Sequence, residues 1–296
     1  MSNLRASPAV ATTTELPVIR TIAALRKQVA DWRSAGETIG IVPTMGALHR
    51  GHIALVDRAR EQCSRTIATL FVNPLQFNAT DDFKSYPREE EADRRMFAAA
   101  GVDLLFAPNV DEVYPKGFDT SVTVGALARP LCGATRPGHF QGVATVVTKL
   151  LLITAPDRAF FGEKDYQQLM VIRRLALDLN VPVEIVGVPT VREPDGLAMS
   201  SRNRHLSPEQ RRIAGTIPRL LKSLADDIAA GGDIAEALIS GRTALFEAGI
   251  ERLDYLECSD GETLEPVRTL VPGARLFVAA FVGKTRLIDN CAIPPK

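Results

Sequence analysis

The chain has 296 residues, of which 46% are hydrophobic, and its 35 basic and 35 acidic side chains cancel to a formal net charge of zero. This size allows one large core or two moderate ones. The charge balance argues against a DNA or tRNA partner, because nucleic-acid-binding proteins usually carry a strongly basic surface. With no run of about 18 apolar residues and no apolar stretch at the N-terminus, we expect neither membrane insertion nor secretion, but a cytoplasmic protein.

The predicted elements begin after an Ala/Ser/Thr-rich segment, residues 1–15, which lacks periodicity and predicts a flexible tail. A helix is predicted near 21–35, and β-branched runs then alternate with amphipathic segments to about residue 190, as in a parallel sheet covered on both faces. After Pro208, helical segments precede the strand-like RLDYLEC and RLFVAAFVG. We therefore predict an α/β protein with a parallel-sheet domain over 16–190 and a smaller α+β domain over 191–296.

The segment PTMGALHRGH, residues 43–52, runs from a strand into a helix. Ligands bind at the carboxyl ends of strands in open α/β sheets, and a helix N-terminus there offers N–H groups to a phosphate. His49 and His52 share one face of the first turn, and the helix dipole favours neutral, hydrogen-bonding imidazoles. Spacing alone also allows a surface pair or half a metal site, but no partner cysteine or H-E-x-x-H pattern indicates zinc.

Two blocks that follow carry polar side chains near the end of a strand or a loop. FVNPLQF carries Asn73 and Gln76, and RPGHFQGVATVV carries Arg136 and His139 before an apolar helix or strand. An amide both donates and accepts hydrogen bonds, so Asn73 and Gln76 could bind a polar ligand. The structural alternatives are a capped turn in the first block and a Pro-Gly turn with a hydrogen-bonded histidine in the second.

Two later blocks carry cationic and hydroxyl groups. FGEKDYQQL places Lys164 at a turn with Gln168 one helical turn beyond it, and MSSR, residues 199–202, lies at the predicted domain boundary. The two hydroxyls and the guanidinium of MSSR form an array of hydrogen-bond donors that suits an anionic ligand. The alternatives are an exposed charged turn for the first block and a helix N-cap region for the second, with Ser207 as the cap.

The order of these blocks resembles one enzyme family. HRGH directly after a strand is similar to the H-x-G-H motif of adenylyl-transferring enzymes, in which MSSR corresponds to the K-M-S-K-S loop. The fuller string PTMGALHRGH, with the four later blocks in order, resembles the pantothenate synthetases over essentially the whole chain after the tail. The resemblance implies an ATP-dependent ligase that joins pantoate to β-alanine through pantoyl-adenylate and releases AMP and pyrophosphate. It also implies that the fold is a Rossmann-like parallel-sheet domain over 16–190 with a C-terminal α+β lid domain over 191–296. The resemblance further implies a homodimer that uses ATP with Mg²⁺ bound mainly through the phosphates.

The resemblance assigns roles to individual residues. His49, His52 and Lys164 are the implied catalytic residues, and Val143 and Val147 are candidates for the wall of the cavity. No protein ligand for a metal is predicted. The implied substrate-binding residues are Asn73, Gln76, Arg136 and Gln168. The implied ATP-binding residues are Met45, Gly46, Ala47, Leu48, His49, Arg50, Gly51, His52, Gly162, Glu163, Lys164, Asp165, Val191, Met199, Ser200, Ser201 and Arg202.

Two other functions account for part of the pattern. Another H-x-G-H nucleotidylyltransferase, which moves AMP onto a substrate phosphate, would need a basic second-substrate pocket in place of Gln76 and Gln168. A non-catalytic nucleotide-binding module would bind ATP without turnover. An assay with ATP, pantoate and β-alanine, followed for AMP, pyrophosphate and the amide product, separates the three possibilities.

Overall fold

The computed structural model describes residues 15–77 and 86–295, so the predicted tail lies almost wholly outside the described residues. The larger sheet has six strands in the order β1-β4-β3-β2-β5-β6, and its neighbouring strands pair in parallel. The strands are β1 Val18–Ile19, β2 Ile39–Thr44, β3 Arg65–Leu70, β4 Leu104–Phe106, β5 Arg158–Gly162 and β6 Glu184–Val188.

Helices connect these strands, and the apolar segment after RPGHFQ, for which the sequence allowed either a helix or a strand, is a helix. In the described part of the chain, no helix is both long and apolar enough to span a membrane. The α-helices between β1 and β6 are α1 Ile22–Ser34, α2 Arg50–Gln62, α3 Glu90–Ala99, α4 Val110–Val113, α5 Cys132–Thr135, α6 His139–Thr154 and α7 Tyr166–Asp178.

The central strand β2 is buried on both faces and lies where the strand order of the sheet reverses. Ile39 and Ile41 face a core that includes α6, while Val42 faces a second core that includes α2, so both faces of the strand are buried. β2 pairs with β3 on one side and with β5 on the other. The strand order of the sheet therefore reverses at β2, and such a reversal leaves a crevice at the carboxyl ends of the strands.

The second unit is built on a three-stranded antiparallel sheet of β7 Arg252–Ser259, β8 Arg275–Val282 and β9 Thr285–Ala292. A core drawn from residues 197 to 293 holds it together. Tyr255 and Phe277 belong instead to the core shared with α6, so one face of this sheet packs against the first unit. The predicted fold class is confirmed, whereas the division at residue 190 and the lid movement stay predictions.

Two details of the second unit differ from the sequence-based prediction. The helical segment after Pro208 is divided into α8 Pro208–Ala214 and α9 Thr216–Ala229, followed by α10 Ile234–Glu247. The strand β9 was not predicted. Its buried positions include Asp289 and Asn290, and these polar residues break the apolar alternation that marks a strand.

Candidate active site

A cavity of about 270 Å³ opens at the carboxyl ends of β2 and β5 and is bordered by the segment that follows β6. Most of the residues that the sequence assigned to ATP or substrate line this one cavity, together with Val143 and Val147. The assigned residues that line it are Met45, His49, Gly51, His52, Asn73, Gln76, Arg136, Gly162, Lys164, Asp165, Gln168, Val191, Met199, Ser200, Ser201 and Arg202.

His49 and His52 are held by backbone groups at the start of α2. The Gly51 N–H donates to Nδ1 of His49 at 3.1 Å, and the His49 N–H donates to Nδ1 of His52 at 3.3 Å. A ring nitrogen that accepts a hydrogen bond cannot carry a proton, so both rings carry their proton on Nε2 when neutral. Burial, followed by the Lys164 charge for His49 and by His49 for His52, lowers their pKa values to about 4 and about 3. Both rings are therefore neutral donors at pH 7.

Asp93 holds the histidine loop, residues 45–49, which leads from β2 into α2. Its carboxylate accepts the N–H groups of Ala47 at 3.0 Å and Leu48 at 2.9 Å, while the side chain itself is buried. Gly46 makes this approach possible: its φ is +85°, and a Cβ there would lie 2.7 Å from Asp93 Oδ2. Asp93 was not singled out in the sequence, because it lies within the charged run EEEADRR.

Gln76 and Asn73 form one hydrogen-bonded pair at the end of β3. Asn73 Nδ2 donates to Gln76 Oε1 at 2.9 Å, and Gln76 Nε2 lies 3.1 Å from the Met45 sulfur. Tyr114, which the sequence analysis did not single out, donates its hydroxyl to Asn73 Oδ1 at 2.8 Å. Gln76 thus belongs to the cavity wall, whereas the amide of Asn73 is engaged by other protein groups.

His139, which was predicted to lie in a loop, is the first residue of α6 and joins the start of this helix to Gln76. Its Nδ1 donates to the Gln76 carbonyl at 2.9 Å, and its Nε2 accepts from Arg136 at 3.1 Å. Burial, together with the Arg136 charge, lowers the pKa of His139 to about 4. This neutral ring has the opposite tautomer to His49 and His52. His139 therefore supports the wall that carries Gln76.

The turn that carries Lys164 is held by the C-terminal sheet. Asn290 Nδ2 donates to the carbonyl oxygens of Glu163 at 2.9 Å and Lys164 at 3.0 Å. The Glu163 side chain forms an ion pair with Arg275 at 3.5 Å. Lys164 lines the cavity with its Nζ 3.7 Å from the Asp165 carboxylate. The C-terminal unit therefore sets the position of a residue that belongs to the first unit.

The serine loop, residues 199–202, leads into a short 3-10 helix, Ser201–His205, whose N-cap is Ser200. Asn203 in this helix donates to Glu193 at 2.7 Å, and Arg211 forms an ion pair with Glu193 at 2.9 Å. Arg204 reaches the first unit and donates to the Leu48 carbonyl at 3.3 Å. The helix that follows the serine loop is thus joined directly to the histidine loop, a contact that the sequence did not indicate.

Five residues assigned to ATP do not line the cavity. Ala47 and Leu48 turn their N–H groups to Asp93, and Gly46 is buried against the same carboxylate. Arg50 is exposed on α2, and Glu163 faces Arg275. Their assignment to ATP stays a prediction, and the loop geometry gives Gly46, Ala47 and Leu48 a role in placing His49. Within residues 15–77 and 86–295, no group of three His, Cys, Asp or Glu side chains is placed to hold a metal ion.

Comparison with known proteins gives the family. A family model described as pantoate-beta-alanine ligase matches residues 17–292. A pantothenate synthetase of Paramagnetospirillum magneticum is 53% identical over 282 residues, which cover 95% of this chain and 99% of the relative. The crystal structure of pantothenate synthetase from Thermus thermophilus has 52% identity and a TM-score of 0.89, with 95% of this chain and 100% of that chain covered.

A second solved structure, the pantoate-beta-alanine ligase of Francisella tularensis, was determined in complex with beta-gamma ATP and beta-alanine. It is 36% identical to this chain, with a TM-score of 0.77, and the match covers 94% of this chain and 97% of that one. The matching family model, the relatives and the solved structures agree over nearly the full length of the sequence. The chain therefore belongs to the pantoate–β-alanine ligase family.

Proposed function

We propose that the cavity carries out the ATP-dependent condensation of pantoate with β-alanine, the reaction of the family, through a pantoyl-adenylate intermediate. The observation that carries this proposal is the pair of neutral imidazoles, His49 and His52, in one cavity with Lys164 and the serine loop. Hydrogen-bond donors and cations on one wall suit a triphosphate, and the amides on another suit a hydroxy acid.

ATP occupies the part of the cavity between the start of α2 and the serine loop. The Nε2–H groups of His49 and His52 donate to the α-phosphate, and the helix N-terminus adds its positive dipole end. Lys164 and the donors of residues 200–202 hold the β- and γ-phosphates. The solved Francisella relative with beta-gamma ATP supports a nucleotide in this family's site.

Pantoate binds beside Gln76 and Gln168, with Val143 and Val147 against its carbon skeleton. In the first step a carboxylate oxygen of pantoate attacks the α-phosphorus in line, the bond to the bridging oxygen breaks, and pyrophosphate leaves. A carboxylate is already ionised at pH 7, so this step needs no general base. Positioning of the two reactants and stabilisation of the growing phosphate charge are the main catalytic contributions.

In the second step the free amine of β-alanine attacks the acyl carbon of pantoyl-adenylate. The amide bond forms, AMP leaves through cleavage of the acyl–oxygen bond, and the amine nitrogen loses one proton, which is released to the solvent. Pantothenate is the amide product. Neutral imidazoles again suit the phosphate of AMP, because they donate hydrogen bonds to the leaving group.

Mg²⁺ is proposed to enter with ATP and to be held mainly by phosphate oxygens and water, the usual arrangement for this ion in nucleotide sites. Asp165, whose carboxylate lies 3.7 Å from Lys164 Nζ in the same cavity, would bind the ribose of ATP. The ion supplies charge neutralisation to the phosphates. We also propose a homodimer and a cytoplasmic location, both supported by the family; light scattering on the purified protein tests the first.

The test of function is one assay with ATP, pantoate and β-alanine that follows AMP, pyrophosphate and the amide. Stoichiometric formation of all three supports the proposal, while AMP transfer onto a phosphate acceptor would favour the nucleotidylyltransferase alternative. In calorimetry, Gln76→Ala and Gln168→Ala should each weaken pantoate binding by about 1 to 3 kcal/mol and spare ATP binding. Equal losses for both ligands would contradict the pantoate assignment.

A further inference from the structure

The side-chain amide of Gln76 has two ends, and which end meets the substrate decides what the cavity can recognise. An amide oxygen accepts hydrogen bonds, whereas an amide NH₂ donates them. Exchange of the two ends changes little in the shape of the side chain, so the hydrogen-bond partners must determine the orientation. The partner of Gln76 is Asn73, which is 1% exposed.

Two backbone groups fix the orientation of the Asn73 amide. The Leu75 N–H donates to Oδ1 at 3.2 Å, and the Gly142 carbonyl accepts from Nδ2 at 3.1 Å. A backbone N–H cannot accept and a carbonyl cannot donate, so the two ends of this amide cannot be exchanged without the loss of both bonds.

This fixed orientation determines the two remaining contacts of Asn73. The Tyr114 hydroxyl, 2.8 Å from Oδ1, must act as a donor. The Gln76 atom that lies 2.9 Å from Nδ2 must be the acceptor Oε1, which leaves Nε2 on the side of Met45, another cavity residue. Both N–H groups of Asn73 Nδ2 and both lone pairs of its Oδ1 are therefore hydrogen-bonded to other protein groups.

We propose that Asn73, supported by Tyr114, is a positioning residue that presents the NH₂ end of Gln76 to pantoate and makes no contact with substrate itself. The inference rests on the proposed function, which places pantoate at Gln76. An NH₂ group matches the oxygens of a hydroxy acid, since a carboxylate only accepts hydrogen bonds. Asn73 thereby selects for substrates that offer an acceptor at this position.

The surroundings of the pair keep this arrangement in place. Burial raises the pKa of Tyr114, so its phenol keeps the proton that it donates. The Lys149 ammonium lies 5.8 Å from the centre of the Tyr114 ring. At Gly142 an added Cβ would lie 2.1 Å from the Leu75 carbonyl oxygen, so only glycine lets α6 approach closely enough for its carbonyl to reach Asn73.

A double-mutant cycle tests whether Asn73 acts through Gln76. We expect Asn73→Ala to weaken pantoate binding about 5- to 30-fold when Gln76 is present. In the Gln76→Ala background, the same change should weaken it by less than about twofold, because the group that Asn73 positions is gone. The ATP dissociation constant should be unchanged in every variant, and calorimetry measures both ligands.

Tyr114→Phe provides a second variant that keeps the aromatic ring and removes only the hydroxyl. It should produce a smaller loss of pantoate affinity that also disappears in the Gln76→Ala background. Val110→Ala, on the exposed surface of the preceding helix, is the matched control and should leave both affinities unchanged.

Two outcomes would overturn the inference in different ways. Additive losses from Asn73→Ala and Gln76→Ala would mean that Asn73 contacts pantoate directly or acts on the whole fold, while the proposed pocket would stand. A Gln76→Ala variant with normal pantoate affinity would instead remove the pocket assignment itself, and the positioning role with it.

Discussion

The rings of His49 and His52 lie with their centroids 4.1 Å apart at an interplanar angle of 37°, and each uses Nδ1 to accept a backbone N–H. Two imidazolium ions this close would repel each other, and the His49 charge is one cause of the lowered pKa of His52. The pair is stable as two neutral rings. The start of α2 thus supplies two donors without supplying a fixed charge.

Removal of either donor should slow adenylate formation. We expect His49→Ala or His52→Ala to lower the single-turnover rate of pyrophosphate release about 10²- to 10³-fold, the usual effect of losing one transition-state donor. Rapid-quench measurement with saturating ATP and pantoate checks this, and circular dichroism serves as the control for folding. A single-turnover rate near that of the wild type would remove the histidines from the mechanism.

The pH dependence of the same step follows from the lowered pKa values of about 4 and about 3. Both rings are neutral above pH 5, so the adenylation rate should show no inflection near 6.5 that belongs to these histidines. The rate should fall only as the pH approaches about 4, where His49 gains a proton. Rapid-quench rates between pH 5 and 8 test this; an acid limb centred near pH 6.5 would contradict it.

As the pH is lowered, the free energy of unfolding should begin to fall at a higher pH than the adenylation rate does. His139 is 8% exposed, and its pKa is about 4 in the fold, against about 6.5 in an unfolded chain. At this residue the unfolded state therefore binds more protons below pH 6.5. The stability that neutral His139 contributes is complete above 6.5 and falls toward pH 4 by up to about 1.4 kcal/mol per pH unit, and His49 and His52 add losses in the same direction. Urea unfolding at pH 7 and pH 5 should show a smaller difference for His139→Gln than for the wild type. If the free energy of unfolding changed equally between pH 7 and pH 5 in both proteins, His139 would not be the cause.

The anchor of the histidine loop can be tested with Asp93→Asn. Each carboxylate oxygen accepts one N–H, from Leu48 and from Ala47, and an amide would leave one of these donors facing an NH₂ group. We expect a loss of about 1 to 3 kcal/mol in the free energy of unfolding and a slower adenylation step. Glu91→Gln, an exposed change on the same helix, is the control. Unchanged unfolding would show that the loop does not need this anchor.

The serine loop should act on rate more than on ground-state binding. Replacement of Ser200, Ser201 and Arg202 together by alanine should lower the adenylation rate by a larger factor than it raises the ATP dissociation constant, because charge grows on the leaving pyrophosphate. Pre-formed pantoyl-adenylate provides the control, since the triple variant should still transfer the acyl group to β-alanine at a near-normal rate. An equal loss in both half-reactions would contradict the phosphate-binding role.

The sequence predicted well those elements whose residue pattern depends only on neighbouring residues in the chain. β2 and α2 follow from an apolar strand, glycines and a helix start, and the histidines are placed by the same helix turn. Asp93 could not be distinguished from its acidic neighbours, because they share one charged run and only the fold buries this carboxylate. Tyr114 lies outside every motif, and its role depends on a contact with Asn73 across 41 residues.

Two residues within the motifs show that membership of a motif does not place a side chain in the cavity. Arg50 and Glu163 belong to strings that resemble the family, yet the first is exposed on α2 and the second pairs with Arg275. A motif marks a stretch of backbone, while the direction of each side chain follows from helix phase and from distant partners. β9 went unpredicted for a related reason, since its buried polar residues serve Arg192 and the Lys164 turn.

The two bonds from Asn290 to the Lys164 turn join residues 127 and 126 positions apart in the chain. Contacts of such long sequence separation form late in folding, because a long loop must close before they contribute. We expect the Rossmann-like sheet to acquire its shape before the C-terminal sheet has docked, and ATP binding to appear only after docking. During refolding, the gain of secondary structure should therefore precede the gain of nucleotide binding, and Asn290→Ala should widen the interval between the two.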